Sequence, residues 1–552
     1  MDKPIIMRLN LFMRNVALTS IASLLVMGTM LSTMASAHAN TPENAQPAVF
    51  DLLELRVKGN TVLEKKELER MVYPFLGPKK SYENVEKARL SLEKLYRDKG
   101  YPTVYVDIPE QNINKGVVYL QVVEGKVARL RVKGAEYFSL EQIKAGMPEL
   151  AEGNVPNSAV VQKQLAALSN QSPDRLITPS WSAGDEPGTT AVDLKVKDTL
   201  PLHARVEING RNTSSTSLTR LVSTMHYDNL WQKMHSVSLM YMVSPQNSQQ
   251  VEVWKGGYDL PLFDSAAKLS LYVLSSSSNT VVAAGSDLVL GAGDTYGARL
   301  SRPLPAVGIY SHNLTLGLDH KYFKQNISAL TGISTIQPIS YLPFMLQYGG
   351  MVKQKEALTV FNAGVVVSMR GVGNNQTEFT NKSSNPAAPA SASFTIFKGD
   401  FSHTHELPLG MQFFGRMNGQ IADGPLINNE QLSQGGMLSV RGYFETQALV
   451  DRGVVGSVEL RSPHLAPLSM DSIDKLQALL FVDGSEGWIM SPTAAQVASH
   501  TANYNLASAG FGSRFRMLKY LTGALDVGFP ILSLQTIQSG EPKIHFNVGS
   551  EF

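Results

Sequence analysis

Leu202-His203-Ala204-Arg205-Val206-Glu207-Ile208-Asn209 alternates apolar and polar side chains without a break. Successive residues of a strand point to opposite faces, so this stretch reads as a strand with one oily face and one wet face. The same period returns in Leu314, Leu316 and Leu318 against Thr315, Gly317 and Asp319, and again along Leu521 to Phe529. It closes the chain with Ile544, Phe546, Val548 and Phe552 against His545, Asn547 and Glu551. Gly-, Asn- and Ser-rich turns separate the segments. Two architectures share the pattern. A soluble sandwich buries its apolar faces, whereas a transmembrane barrel turns them to lipid and keeps polar groups in its lumen.

The barrel is favoured by the rest of the chain. Lys3, Arg8 and Arg14 precede an apolar run from Val16 to Ala37, closed by Ala35-Ser36-Ala37 or Ala37-His38-Ala39. That is the layout of a secretory signal peptide over residues 1–37, with cleavage after Ala37 or Ala39. A single membrane anchor is the rival; Thr, Ser and Gly dilute the run, and the Ala-x-Ala ending favours cleavage. Strand-like segments begin near residues 202, 219, 235, 250, 268, 294, 312, 340, 358, 393, 411, 454, 476, 506, 521 and 543, sixteen in all. The number is even, as antiparallel closure with both ends on one side demands. Closure matters because each unpaired backbone group costs several kcal/mol in hydrocarbon. Residues 372–392, rich in Asn, Ser, Pro and Ala, read as a long extracellular loop.

Bulk composition narrows the function. The 552 residues are 43% hydrophobic and 17% charged, with net charge +2 and no cysteine. A near-neutral balance argues against a nucleic-acid partner, whose binding rests on clustered Lys and Arg. Zero Cys excludes disulfide scaffolds, thiol catalysis and Cys-ligated zinc. There is no Gly-x-Ser-x-Gly elbow and no phosphate loop, so no catalytic residue and no cofactor is assigned. His403-Thr404-His405-Glu406 lacks a well-spaced third ligand and reads as a polar cluster beside a turn, and no metal site is assigned.

Ahead of the strands lies a repeat. Leu55-Arg56-Val57-Lys58-Gly59 returns as Leu130-Arg131-Val132-Lys133-Gly134, and Val118–Val123 is echoed by Val192–Val196. Helical periods fill the space between: Glu64–Tyr73 and Tyr82–Asp98 in the first unit, Ser139–Ala145 and Asn157–Ser169 in the second. Ala88, Leu90, Leu92, Leu95 and Tyr96 are expected to face a core, and Gly100-Tyr101 to stop the helix. Each unit reads β-α-α-β-β. This resembles the POTRA domain, a periplasmic module, present as POTRA 1 over 51–124 and POTRA 2 over 125–199. Residues 38–50 form a short linker. Asn170-Gln171-Ser172-Pro173-Asp174-Arg175 is similar to the corresponding motif of two-partner secretion transporters, which implies client binding by Asn170, Pro173, Asp174 and Arg175. An open sheet edge would let an unfolded client add a strand through main-chain hydrogen bonds.

The segment 424–452 has no period and carries Val440-Arg441-Gly442-Tyr443. By parity from a periplasmic start it lies between the eleventh and twelfth strands, outside, and is long enough to fold back into the lumen. Alternation places Phe481 and Asp483 on the lumenal face of the thirteenth strand, and Ser457, Glu459 and Arg461 on that of the twelfth. Arg441 thus has candidate partners in Asp483 and Glu459. Asp526, Arg416, Arg514 and Arg516 are expected to line the same lumen.

Val440-Arg441-Gly442-Tyr443 resembles the sixth-loop signature of the superfamily that joins POTRA domains to a sixteen-stranded barrel. Its partner has the form Phe-x-Asp-x-Gly; Phe481 and Asp483 match, but Ser485 stands where Gly is usual, which puts the local turn in question. With two POTRA copies, the chain is similar to two-partner secretion transporters. The resemblance implies a membrane β-barrel of 16 antiparallel strands over 200–552, set in the bacterial outer membrane, with POTRA domains in the periplasm. It implies export of a large secreted partner, unfolded in transit; an outer-membrane protein insertase is the alternative. Many such transporters carry a plug helix before the first POTRA domain. His38–Phe50 leaves no room for one, so the inward loop is expected to block the pore. The terminal Phe552 resembles the signal read by the barrel assembly machinery.

Overall fold

A computed structural model describes residues 49–552 except 114, 263–266, 279–280, 285–286, 328–333, 466–471 and 535. The signal segment and most of the linker fall outside the described residues. The chain divides into two compact units, one holding the first module with 149–162 and 181–192, the other holding the barrel with 130–148 and 163–180.

In the first module a three-stranded sheet sets Glu54–Lys58 parallel to Val117–Glu124, which pairs antiparallel with Val104–Asp107. The helix Tyr82–Asp98 covers it. Ser81 and Asn84 form a reciprocal capping box at its start, satisfying amide groups that no helical partner reaches. Val85, Ala88, Leu92 and Tyr96 recur at helical spacing and are buried, while Leu90 is 51% exposed. Leu90 therefore does not join the core: two positions on from Ala88 is a rotation of about 200°, away from the sheet. A short pair, Phe50–Leu52 with Gly77–Lys80, adds a hairpin-like edge that no periodicity announced.

The second module follows the same sheet order, with Lys126–Lys133 beside Thr189–Asp198 and Arg175–Ala183 outermost. Its helices run Leu140–Ala145 and Ser158–Ser169. Equivalent atoms do equivalent work in each module. Gly59 and Gly134 have φ of +85° and +84°, and a Cβ on either would strike a carbonyl oxygen, that of Val122 or Val196. Just beyond, the carboxylate of Glu124 accepts from the amides of Thr61 and Val62, and that of Asp198 from Glu136, Tyr137 and Phe138.

Sixteen further strands close into a barrel, with two short two-stranded ladders, Val281–Ala284 with Asp287–Leu290 and Leu432–Gln434 with Ala448–Val450, outside its sheet. In chain order they are β1 Leu202–Asn209, β2 Arg220–Leu230, β3 His235–Val243, β4 Glu252–Leu262, β5 Ala267–Ser276, β6 Gly293–Val307 and β7 Tyr310–Ile327. β8 runs Ser334–Tyr341 and Phe344–Lys353, both halves pairing with β7. It is broken at Leu342-Pro343, since Pro343 has no N–H to donate. Then follow β9 Ala357–Ser368, β10 Phe394–Glu406, β11 Gln412–Ala422, β12 Arg452–Arg461, β13 Ile473–Trp488, β14 Asn503–Met517, β15 Leu521–Pro530 and β16 Lys543–Glu551. Strand β16 pairs with β1, and the terminal Phe552 exchanges both main-chain hydrogen bonds with Ala204.

Exposure decides between sandwich and barrel. On β13, Leu480 and Val482 are 63% and 61% exposed, while Phe481 and Asp483 between them are 3% and 2%. A soluble fold would invert that order. The apolar face turns outward to lipid and the polar face inward, as in a transmembrane barrel. The loop expected over 372–392 is not without structure. Asn375 caps a helix, Gln376–Lys382, whose Phe379 is buried against Tyr341 and Phe394.

Candidate functional site

The 29 residues between β11 and β12 leave the extracellular rim and turn back into the lumen. A short ladder, Leu432–Gln434 with Ala448–Val450, makes the two limbs of this loop, and the tip lies between them. Gly442 has φ +92°, a conformation that excludes most side chains. Here the tip backbone lies directly on β15: a Cβ added at Gly528 would sit 2.5 Å from the Gly442 nitrogen. Two glycines let two backbones touch.

Arg441 is 1% exposed. Its Nε and backbone N–H donate to Asp483 Oδ2 at 2.7 and 3.0 Å, and Nη2 donates to Asp483 Oδ1 at 2.8 Å. Nη1 reaches Glu459 Oε1 at 2.7 Å, and Nη2 also meets Ser457 Oγ at 3.0 Å. The guanidinium carbon stacks 3.5 Å above the Phe481 ring. Around this point Arg461 pairs with Glu459 at 2.7 Å and Arg514 with Asp526 at 2.6 Å, and Asp526 Oδ2 is 3.5 Å from Arg441. Three guanidinium groups thus interleave with three carboxylates, so no buried charge stands uncompensated. Arg416 completes the cradle by donating to the loop carbonyls of Met437 and Ser439.

The neighbours of Arg441 are equally fixed. Val440 and Tyr443 are fully buried, packed with Val455 and Leu506. The Tyr443 hydroxyl lies 2.7 Å from the Leu532 carbonyl and 3.1 Å from that of Ala507. Gly442 N–H donates to His545 Nε2 at 3.0 Å, which requires a neutral imidazole accepting at that nitrogen. Ser485 does not produce a turn: β13 continues in register to Trp488, with Gly484 opposite Ala507 and Ser485 opposite Leu506.

The loop has further anchors that the sequence reading did not name. Glu430, on the descending limb, is 3% exposed and accepts from Lys321 Nζ at 2.6 Å and the Tyr341 hydroxyl at 2.8 Å. Asp451 receives the amides of Leu426 and Met490 and the side chain of Gln431. Glu445 lies 3.4 Å from Arg211, and its N–H donates to the Asn212 carbonyl at 3.0 Å. Asp526, expected in the lumen, stands opposite His545 across β15 and β16, so alternation places His545 on the same face. Glu430 sits in an aperiodic loop and left no such signal.

The lumenal space between the loop and strands β8–β11 measures about 460 Å³. Gln347, Asn362, Lys398 and Asp400 line its wall, with Ser433 and Ser439 on the loop side. That is the size of a small-molecule pocket.

In the second module the motif residues diverge. Asn170 and Pro173 are exposed, while Asp174 and Arg175 are 8% and 5% exposed. Arg175 donates to Leu168 O and Gln171 Oε1 and stacks on Phe138, and burial lowers its pKa from the usual arginine value. His403 and His405 lie side by side on the outer face, His403 bonded to Thr359.

Comparison with known proteins completes the picture. The POTRA domain, ShlB-type, matches residues 50–125, and the haemolysin secretion/activation protein ShlB/FhaC/HecB model matches residues 188–515. The outer membrane transporter CdiB of Dickeya dadantii is 21% identical over 532 residues, covering 95% of this chain and 90% of that protein. The heme/hemopexin transporter protein HuxB of Haemophilus influenzae is 22% identical, covering 88% of this chain and 84% of that protein. The solved structure of CdiB from Escherichia coli superposes with a TM-score of 0.62 at 18% identity, covering 95% of this chain and 93% of that one.

Proposed function

Because the chain belongs to the haemolysin secretion/activation protein ShlB/FhaC/HecB family, of two-partner secretion transporters in the outer membrane, we propose that it exports one large unfolded partner past the Arg441 loop. The periplasmic modules, over 51–124 and 125–199, capture the client by strand addition to an open sheet edge. Asn170 and Pro173 are the motif residues exposed to such a client. The matched turns at Gly59 and Gly134 support reading 125–199 as a second copy of the first module.

One observation carries the mechanism. Arg441 is buried inside the lumen and bound to Asp483 and Glu459, which fixes the loop tip across the interior of the barrel. The loop is therefore the resting plug, and it gives way when cargo passes. The periplasm holds no ATP, so folding of the cargo outside supplies direction. The barrel faces outer-membrane lipid. Phe552, 69% exposed, serves as the mark read by the assembly machinery before β16 closes on β1.

Co-expression with a candidate partner tests the reading. Export of that one protein, with the outer-membrane protein profile unchanged on deletion of the transporter, supports it. A general loss of outer-membrane proteins on deletion contradicts it and favours an insertase.

A further inference from the structure

At the periplasmic mouth of the barrel, His203 on β1 stands directly opposite His226 on β2. Their imidazoles stack at 4.7 Å between centroids, and Asp228 lies two residues on, its Oδ2 3.5 Å from His226 Nε2. Alternation puts all three side chains on one face. One ligand atom from each lies within 4.8 Å of the others. A tetrahedral zinc with nitrogen and oxygen ligands at 2.0–2.2 Å holds them about 3.3 Å apart. His226 is half exposed and free to turn by the difference. Two imidazoles and a carboxylate, with water in the fourth position, are a donor set zinc accepts.

His203 is oriented from outside the group. Its Nε2 is shut off from solvent and lies 3.0 Å from Oδ1 of the nearly buried Asp174, which leaves Nδ1 as the nitrogen to face a metal. A carboxylate against the ring of a metal-bound histidine orients it and raises its basicity. Asp174 itself is held by Ser172, and the Asp228 backbone by the Pro201 carbonyl, so the frame is built.

We propose that His203, His226 and Asp228 form a zinc site, with Asp174 as its positioning residue. The site ties the first barrel hairpin to the second module. Along the same rim Tyr137 O accepts from Asn229 and Gln232, and Gln232 accepts from Ser139 N–H. Sequence reading misses the group because 22 residues separate the two histidines and no spacing rule joins them.

The test uses the full-length chain without a histidine tag, purified in detergent, stripped with chelator and then freed of it. Zinc chloride is titrated by calorimetry, and thermal unfolding is followed with and without it. The expected result is one zinc per chain and a raised Tm. His203→Ala and His226→Ala should each weaken binding about tenfold or more, and Asp174→Asn by a smaller factor. His226 is exposed enough that its variant keeps the barrel, checked by heat-dependent gel migration. No zinc binding by the parent chain, or binding unchanged in His226→Ala, overturns the proposal.

Discussion

Arg441 and Asp483 share three hydrogen bonds, two from the guanidinium and one from the backbone N–H. The side chain and the main chain of one loop residue are thus fixed to one strand carboxylate. Burying such a group is costly, and the gain is positional: an aperiodic loop acquires a single address in the lumen.

Arg441→Ala leaves Asp483, Glu459 and Asp526 facing one another with one cation fewer. Breaking a buried pair costs about 3–5 kcal/mol. Secretion should fall about tenfold or more, while heat-resistant migration on gels shows the barrel still inserted. Arg441→Lys keeps the charge but loses the planar fork, and should recover only part of the activity. Full secretion by the alanine variant removes this loop from the mechanism.

Gly528→Ala tests the backbone contact without touching any charge. The new methyl group would lie 2.5 Å from the Gly442 nitrogen, so the tip must lift off β15. Single-channel conductance in planar bilayers should rise over the parent. Unchanged conductance would mean that the tip tolerates displacement without opening the lumen.

Lys321→Met removes the ion-pair partner of the buried Glu430 carboxylate and leaves it the Tyr341 hydroxyl and the more distant charge of Lys398. The descending limb should loosen, read as raised conductance and easier proteolysis within 424–452. Adding Glu430→Gln removes the stranded charge and should return both readouts most of the way. A double variant as leaky as the single one contradicts this anchor.

Gly134→Ala forces an L residue to φ +84° with its Cβ 2.6 Å from the Val196 carbonyl oxygen. The αL penalty alone is about 1–2 kcal/mol. Limited proteolysis of the full chain should cut the second module faster, with the barrel spared. Gly59→Ala should do the same to the first.

Much of this was legible in the sequence because period-2 alternation reports directly on side-chain direction. Phe481, Asp483 and Glu459 fall in the lumen as parity requires, and fifteen of the sixteen strands begin within three residues of the expected starts, while the eighth begins at Ser334, six residues before its expected start near 340. The helix over Tyr82–Asp98 is as expected, but the core placement of Leu90 failed because it rested on hydrophobicity without counting 100° per residue. The helix at Gln376–Lys382 and the Glu430 anchor were hidden for a different reason. Both lie in loops, where packing against distant strands, not local period, fixes the structure.

The central claim is that the loop must leave its place for cargo to pass. Glu445 N–H donates to the Asn212 carbonyl at 3.0 Å, so the loop and the first extracellular turn touch backbone to backbone at these two positions. The chain has no cysteine, so Asn212→Cys with Glu445→Cys introduces a single possible bridge. Secretion is measured for the oxidised double variant and again after reduction. The account predicts that the bridge stops export and that reductant restores it; export at the parent level through the bridged barrel would contradict it.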